Sequence, residues 1–594
     1  MNRSASPSPR SRRADLFVVG AILGAWLGSW SLLTGAAWLS GAQPTVSPVD
    51  YINPVRLVTV FRDDGDRVVW WHLVGAAEPQ RRWMFVTFIV VTPLLAVAAS
   101  VAAMIAWSGG VPGFAGARML LPNSLPRSSR WARRRDLRRL RVRGPRPGAI
   151  ILGRRGAVMI ATEPETSVLV IGPTRSGKTS GLVVPNVLDW QGPAIVTSTK
   201  AELVDLTSAH RSRSGPVYVY DPTGDSPGRR PSTTWSPLAG CGTLDASWRA
   251  AAWLCAGLQQ GGGRGDNDWA HWAESGKLLI APLLFVAAAT GRTIVDVGRW
   301  IGSFDLEEPA SLLVRLGGDP RFSEDAQRSV DMLRSVDQRP EKERGTVFST
   351  VMRIFSVFHE QPVALSASSC DFDARAMLRN NGTLYLCTPR QSPERVASLF
   401  VGILMTVVTE AYVLAAGMPR KRLHPELGLF LDELANIVPI DDLPALASQG
   451  AGRGIVLMSI IQDFSQLRQR YGADKANSIL NNHGCKMVLP GISDPETSEV
   501  VARMIGRTEY TDLQLSHQAG KTSRSYSIRQ DQMASPDALR QLQEGAAVVL
   551  YRGRPPTIVR LRPWYTERRL VAMVEESPGR QTAASAPSAG ETSG

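Results

Sequence analysis

From residue 167 onward, short apolar runs alternate with longer stretches of helical periodicity. The runs are 167–171, 194–199, 217–221, 383–388, 427–431, 455–460 and 486–490. Each is rich in β-branched or aromatic residues, which predicts buried strands. Helical spacing separates most of them, as in 393–414. The alternation predicts an α/β fold, a parallel sheet with helices on both faces. Residues 547–552 and 557–562 flank Gly553-Arg-Pro-Pro556 and predict a closing β-hairpin.

The pattern changes twice. Between about 245 and 370 strand signals fade, and 247–258, 269–289, 293–301, 310–316, 323–336 and 345–358 predict successive helices. Gly261-Gly-Gly-Arg-Gly265 reads as a loop between two of them, and Asp266-Asn-Asp268 as a helix start. Trp269 and Trp272 read as core packing rather than a binding platform. Upstream, 16–39 and 83–107 are uncharged runs of 24 and 25 residues, each long enough to cross a bilayer as a helix.

Charge orients these runs. Residues 118–155 hold thirteen arginines and one acid, Asp136, a net +12 out of +14 for the whole chain. The positive-inside rule then predicts a multi-pass cell-membrane protein with both termini cytoplasmic and the loop 40–82 outside. The basic stretch is a juxtamembrane collar. It sets topology and attracts anionic lipid, or it also guides a polyanion toward the membrane. The five cysteines, Cys241, Cys255, Cys370, Cys387 and Cys485, form no C-x-x-C pair and have no histidine cluster nearby. That pattern predicts neither a disulfide framework nor a metal-thiolate site.

The chemistry sits in Gly172-Pro173-Thr174-Arg175-Ser176-Gly177-Lys178-Thr179, directly after an apolar run. This is the G-x-x-x-x-G-K-T phosphate-binding loop. Its glycines let backbone N–H groups face a phosphate, Lys178 reaches the β/γ-phosphates, and Thr179 ligates Mg²⁺. Ser180 opens the helix whose N-terminus adds positive dipole. A second site, Asp432-Glu433, ends the apolar run 427–431. It has the form of a Walker B strand, with Asp432 holding Mg²⁺ through water and Glu433 polarising the attacking water. Lys178 and Asp432 stand 254 positions apart. That gap predicts an insertion, which the helical stretch supplies.

The ordered set resembles the type IV coupling proteins, the TraG/TraD-type ATPases of bacterial conjugation and type IV secretion. The resemblance runs from the first span to about residue 565. It rests on the spans, the loop at 172–179, Val183-Val-Pro-Asn186, Ser198-Thr-Lys200-Ala-Glu202-Leu203, Tyr220-Asp221-Pro222 and Trp235-Ser-Pro237-Leu238. It continues through Asp432-Glu433-Leu-Ala-Asn436, Gly452-Arg453-Gly454 and Ser459-Ile-Ile-Gln462.

The resemblance implies a RecA-like P-loop domain at 151–244 and 371–570, an inserted all-α domain at 245–370, and a homo-hexamer. Around these lie a cytoplasmic segment 1–15, a membrane domain 16–110, a basic linker 111–150 and a disordered tail 571–594. It further implies ATP and Mg²⁺ as ligands, and Gln462 as a γ-phosphate sensor. Arg453 is the candidate arginine finger on a neighbouring subunit's nucleotide. Lys200 and Glu202 belong to a loop near the nucleotide or channel, or form a surface ion pair. The implied function is an ATP-driven pump that passes single-stranded, relaxase-linked DNA to a type IV secretion channel, with relaxosome proteins and the lipid bilayer as partners. Two alternatives are an FtsK-type translocase of double-stranded DNA and an ATP-switched receptor for secreted proteins. The short tail after residue 570 counts against the first, and the intact Asp432-Glu433 pair against the second.

Overall fold

A computed structural model describes residues 129–198, 201–224, 233–257, 266–387, 393–518 and 521–575 of the chain. Residues 1–15, the two expected spans, the loop between them, Lys200, the 261–265 loop and residues 576–594 of the tail lie outside the described residues.

The strands, in chain order, are β1 (Arg141–Val142), β2 (Ile151–Arg155), β3 (Val158–Ala161), β4 (Val168–Ile171), β5 (Ala194–Ser198), β6 (Val217–Tyr220) and β7 (Thr383–Cys387). They continue with β8 (Leu427–Leu431), β9 (Ile455–Ile461), β10 (Cys485–Val488), β11 (Arg507–Gln518), β12 (Lys521–Gln532), β13 (Ala546–Tyr551) and β14 (Thr557–Arg560). Twelve of them form one sheet in the order β1-β3-β2-β14-β13-β10-β4-β9-β8-β5-β7-β6.

The sheet is mixed: its parallel part and the closing β13–β14 hairpin are as expected, and antiparallel pairing extends beyond that hairpin to β10, β2, β3 and β1. From β10 to β6 every neighbour is parallel. From β10 outward through β13, β14, β2, β3 and β1 every neighbour is antiparallel. Connection length accounts for two of the antiparallel pairs, β2–β3 and β13–β14. Only Gly156 and Ala157 join β2 to β3, and residues 552–556 join β13 to β14. Links that short reverse the chain, whereas parallel neighbours need a long crossover.

Strand residues alternate between two buried layers, as a two-faced sheet requires. Leu169, Ile171, Ile195, Leu429 and Leu431 face one core. Val168, Val170, Val196, Phe430 and Met458 face the other. The helix Ala397–Ala416 is apolar almost all round and covers the first face. The helix Val184–Asp189 covers the second.

Between β6 and β7 the chain is helical. Helices run over Leu244–Gly257, Asp266–Ala289, Ile294–Ser303, Glu307–Leu316, Ser323–Asp337, Glu341–Phe355 and Gln361–Ser368. Their buried residues, among them Phe285, Trp300 and Phe348, are continuous with the first sheet core. Trp272 packs against that core, as its spacing predicts.

Three boundaries differ from expectation. Residues 129–150 do not read as linker in three dimensions. Ala132, Leu137 and Leu140 are buried, the Ala132 amide donates to the Pro556 carbonyl at 2.8 Å, and β1 joins the sheet. The arginines between those anchors point to solvent and hide the apolar signal in a charge-rich window. At the other end, Arg568–Glu575 is a helix with Leu570 and Val574 buried, so the fold extends past 571. Third, β11 and β12 form a separate two-stranded sheet, paired in unbroken register from Arg507↔Gln532 to Gln518↔Lys521.

Candidate functional site

The loop at 172–178 follows β4, which is buried along its whole length. The Gly172 amide donates to the Ile461 carbonyl at 3.1 Å, tying the loop's first residue to the end of β9. A Cβ on Gly172 would stand 2.8 Å from Leu489 Cδ1 and 2.9 Å from Leu489 Cβ, so only glycine fits. The loop then turns through two left-handed positions, Arg175 (φ 64°) and Gly177 (φ 81°). Ser176 Oγ donates to the Pro173 carbonyl at 2.8 Å and closes the turn. Thr174 and Arg175 form its exposed tip.

Lys178 is buried, and its ammonium folds back over its own loop. Nζ donates to the Gly172 carbonyl at 2.8 Å and to the Pro173 carbonyl at 3.1 Å. The cation therefore stands above the concavity that the glycines open. Residues 179–183 form a π-helical turn before the α-helix begins at Val184. Such turns recur at functional sites.

Thr179 meets the second carboxylate site. Its hydroxyl donates to Asp432 Oδ2 at 3.0 Å. Asp432 follows β8, and Thr197 at the end of β5 donates from Oγ1 to the Asp432 carbonyl at 2.8 Å. Glu433 occupies a left-handed conformation (φ 52°, ψ 42°) at the head of the short helix Leu434–Ile437. A non-glycine residue held there stores strain of roughly 1 kcal/mol or more. The turn carries the chain out of β8 directly after Asp432.

One strand, β9, separates β4 from β8. Gln462 follows β9 directly, so it stands between the loop and the carboxylate pair. Its amide donates to Gln466 Oε1 at 3.1 Å. The interior of β9 is pinned by His483, whose Nε2 meets Ser459 Oγ at 2.9 Å and whose Nδ1 meets the Ile479 carbonyl at 2.7 Å. Burial pushes the His483 imidazole down to about 4. The neutral ring donates from Nδ1 and accepts the Ser459 hydroxyl at Nε2.

Arg453 is not brought to this site. It is exposed and precedes β9, at the far end of the strand from Gln462. Seven residues of strand put roughly 20 Å between the two ends. Among the described residues its guanidinium donates to the Lys421 carbonyl, at 3.5 Å. Glu202, on the helix Ala201–Arg211, is exposed.

The local motifs give no hint of the C-terminal segment that closes over the loop. Leu561 Cδ1 lies 3.8 Å from where Gly177 would carry a Cβ, and Leu561 Cβ lies 3.1 Å from the same point on Gly181. The Arg562 amide donates to the Gly181 carbonyl at 3.2 Å. The Arg562 side chain is 3% exposed and donates to Asp189 Oδ2 at 2.9 Å and to Glu567 at 2.8 and 2.9 Å. Asp189 ends the helix that follows the loop, so Leu561 and Arg562 hold that helix at both ends. Burial opposes charge on Glu567, but hydrogen bonds from Arg562 and Arg154 overrule it and hold the carboxyl at about 2. The resemblance motifs Tyr220-Asp221-Pro222 and Trp235 do structural work. Asp221 Oδ1 accepts from Thr223 and Gly224, and the Trp235 ring lies against Gly402.

The sheet and the loop together define a class, a P-loop α/β protein with its carboxylate pair one strand removed from the loop. Residues 128–587 match the type IV secretory system conjugative DNA transfer family, and the chain belongs to that family. It is 26% identical over 424 residues to the protein VirD4 of Rhizobium radiobacter, covering 69% of this chain and 59% of that protein. It is 26% identical over 441 residues to the conjugal transfer protein TraG of Escherichia coli, covering 67% of each. The chain thus spans about three-fifths to two-thirds of the length of these relatives. The fold matches the conjugative coupling protein TrwB in its unbound form, with a TM-score of 0.56 at 18% identity over 76% of this chain and 95% of that one. TrwB in complex with ADP and Mg²⁺ matches with a TM-score of 0.55 at 17% identity, covering 76% and 96%.

Proposed function

We propose that this chain is a membrane-anchored ATPase that couples a DNA or nucleoprotein substrate to a type IV secretion channel. The observation that carries the reading is the Thr179–Asp432 hydrogen bond, which unites the loop hydroxyl with the Walker B carboxylate. The donor set suits the expected ligands. A hydroxyl and a carboxylate oxygen side by side are hard donors of the kind Mg²⁺ takes. Leu489 and the Ser176 hydroxyl crowd Gly172 and leave no room for a side chain there, which keeps the loop backbone in its tight turn. When bound, Mg²⁺ shields charge on the phosphate oxygens of the nucleotide.

The chain's own residues do the rest. Lys178 exchanges the Gly172 and Pro173 carbonyls for phosphate oxygens. Glu433, fixed by its left-handed backbone, orients the attacking water and takes its proton. Gln462 reports the γ-phosphate to β9. Arg453, remote from its own loop, serves the nucleotide of a neighbouring copy in a hexameric ring. The uncharged runs 16–39 and 83–107 anchor the motor in the cell membrane with both termini cytoplasmic. Single-stranded, relaxase-linked DNA and the secretion channel are its partners.

The test uses the full chain in nanodiscs. ATP turnover is measured with and without single-stranded DNA, alongside Lys178→Ala and a mating assay for transfer. The expected result is DNA-stimulated hydrolysis and transfer, both lost in the variant. A chain that binds ATP but never hydrolyses it, with DNA present, would instead be a receptor switched by nucleotide. Stimulation by duplex DNA alone would favour the double-stranded translocase.

A further inference from the structure

An open cleft of about 520 Å³ lies between the collar and the C-terminal helix, and no residue of the loop or the carboxylate pair lines it. Arg143, Arg154, Arg562, Arg568 and Arg569 line it, with Glu567 and, on the apolar side, Met159 and Pro145. The two nearby carboxylates are already committed. Glu567 accepts from Arg562 and Arg154, and Asp189 accepts from Arg562 and Arg569. Three positive charges are left over. Two of them, on Arg143 and Arg568, are exposed and make no hydrogen bond or ion pair among the described residues. Their planar N–H forks suit the oxygens of a phosphate, which accepts such forks in pairs.

We infer that this cleft binds the phosphate of an anionic glycerophospholipid headgroup. A short cleft with Met159 and Pro145 on one side suits one headgroup and its glycerol, whereas a nucleic-acid backbone needs a continuous track of cations. The cleft is built from the collar, the part of the described fold that follows closest in sequence on the second expected span. Trp131, in the same collar segment, is 36% exposed. Exposed tryptophan beside arginines is the pattern of a membrane–water interface. The inference rests on the membrane-anchored reading above, and it assigns the lipid contact to a particular site.

The experiment uses the full chain purified in a zwitterionic detergent and the doubly substituted Arg143→Gln/Arg568→Gln chain. Dioctanoyl-phosphatidylglycerol, dioctanoyl-phosphatidylcholine, inorganic phosphate and a single-stranded dodecamer are each titrated, with bound stoichiometry read by native mass spectrometry. Two lost contacts of the usual size predict phosphatidylglycerol binding about thirtyfold weaker in the variant. Phosphatidylcholine should bind the wild type no better than phosphatidylglycerol binds the variant. Nucleotide affinity at the loop stays unchanged in both chains, which reports an intact fold. The substituted residues have no internal partners, so folding is not at stake. Equal phosphatidylglycerol binding by both chains overturns the proposal. So does inorganic phosphate binding as tightly as the lipid, or a loss confined to the dodecamer, which would assign the cleft to DNA. A chain that binds the lipid selectively yet hydrolyses no ATP would sink the pump and leave this site standing.

Discussion

Thr179 Oγ1 donates to Asp432 Oδ2 at 3.0 Å, across 253 positions of sequence. Thr179 and Asp432 are the residues that would hold Mg²⁺, and both present hard oxygen donors of the kind it takes. Thr179→Ala should weaken ATP binding at least about tenfold with Mg²⁺ present, the size of one lost charge-assisted contact. Repeating the titration with EDTA should remove most of the difference between the two chains. A deficit that persists in EDTA would mean that the hydroxyl serves the fold and not the cation.

Gly172 is held by crowding. Gly172→Ala places a methyl 2.8 Å from Leu489 Cδ1, inside van der Waals contact. Nucleotide binding should be lost at concentrations that saturate the wild type. Adding Leu489→Gly should restore part of it, because the second substitution removes both obstructing Leu489 atoms, Cδ1 and Cβ. An absence of rescue would locate the defect in the loop backbone itself.

His483 makes stability depend on acid. Its folded value, about 4, lies below the unfolded 6.5. Below pH 6.5 the unfolded chain binds a proton that the folded chain refuses, so the contribution is full above 6.5 and is lost as pH falls toward 4. The loss is on the order of 3 kcal/mol in total. Urea unfolding at pH 7.5 and 5 should show it, and His483→Gln should flatten the difference. A wild type equally stable at both pH values would contradict the buried neutral ring.

The Arg562 cluster fixes the helix after the loop. Arg562→Ala leaves Asp189 and Glu567 facing each other's charge without their shared partner. Breaking a buried pair by removing one member costs about 3–5 kcal/mol. A lowered melting temperature, raised again at pH 3 relative to the wild type, would be the signature.

Arg453 should matter only between copies. Arg453→Ala is expected to leave nucleotide affinity within about twofold and to lower turnover by roughly 10³-fold, the scale of a lost arginine finger. Mixing it with a Glu433→Gln chain should recover some activity if the two act on a shared site. Turnover that falls only in proportion to dilution would rule out a role in trans.

Much of this was legible in the sequence. The parallel strands and the successive helices of 244–368 carry clear periods, because buried faces impose them. The loop and the Asp432-Glu433 pair announce themselves through residue chemistry at fixed spacing. The folded part of the collar is hidden in the sequence because exposed arginines outnumber Ala132, Leu137 and Leu140, which anchor it. The β11–β12 hairpin escaped because neither strand carries a long apolar run. The closure of Leu561 and Arg562 over the loop left no signal at all. It depends on two segments about 380 residues apart that share no pattern, only a contact.

The sheet order also describes a path between the collar and the nucleotide loop. It runs rung by rung from β1 through β3, β2, β14, β13 and β10 to β4, which carries the loop. Along that path the seam between β2 and β14 has one paired position, Arg154↔Arg560, where its neighbours have four. The Arg154–Glu567 bond at 2.9 Å straps the same junction. The strand that carries the nucleotide loop is thus joined to the collar strands through a seam of one backbone rung, reinforced by a side-chain bond.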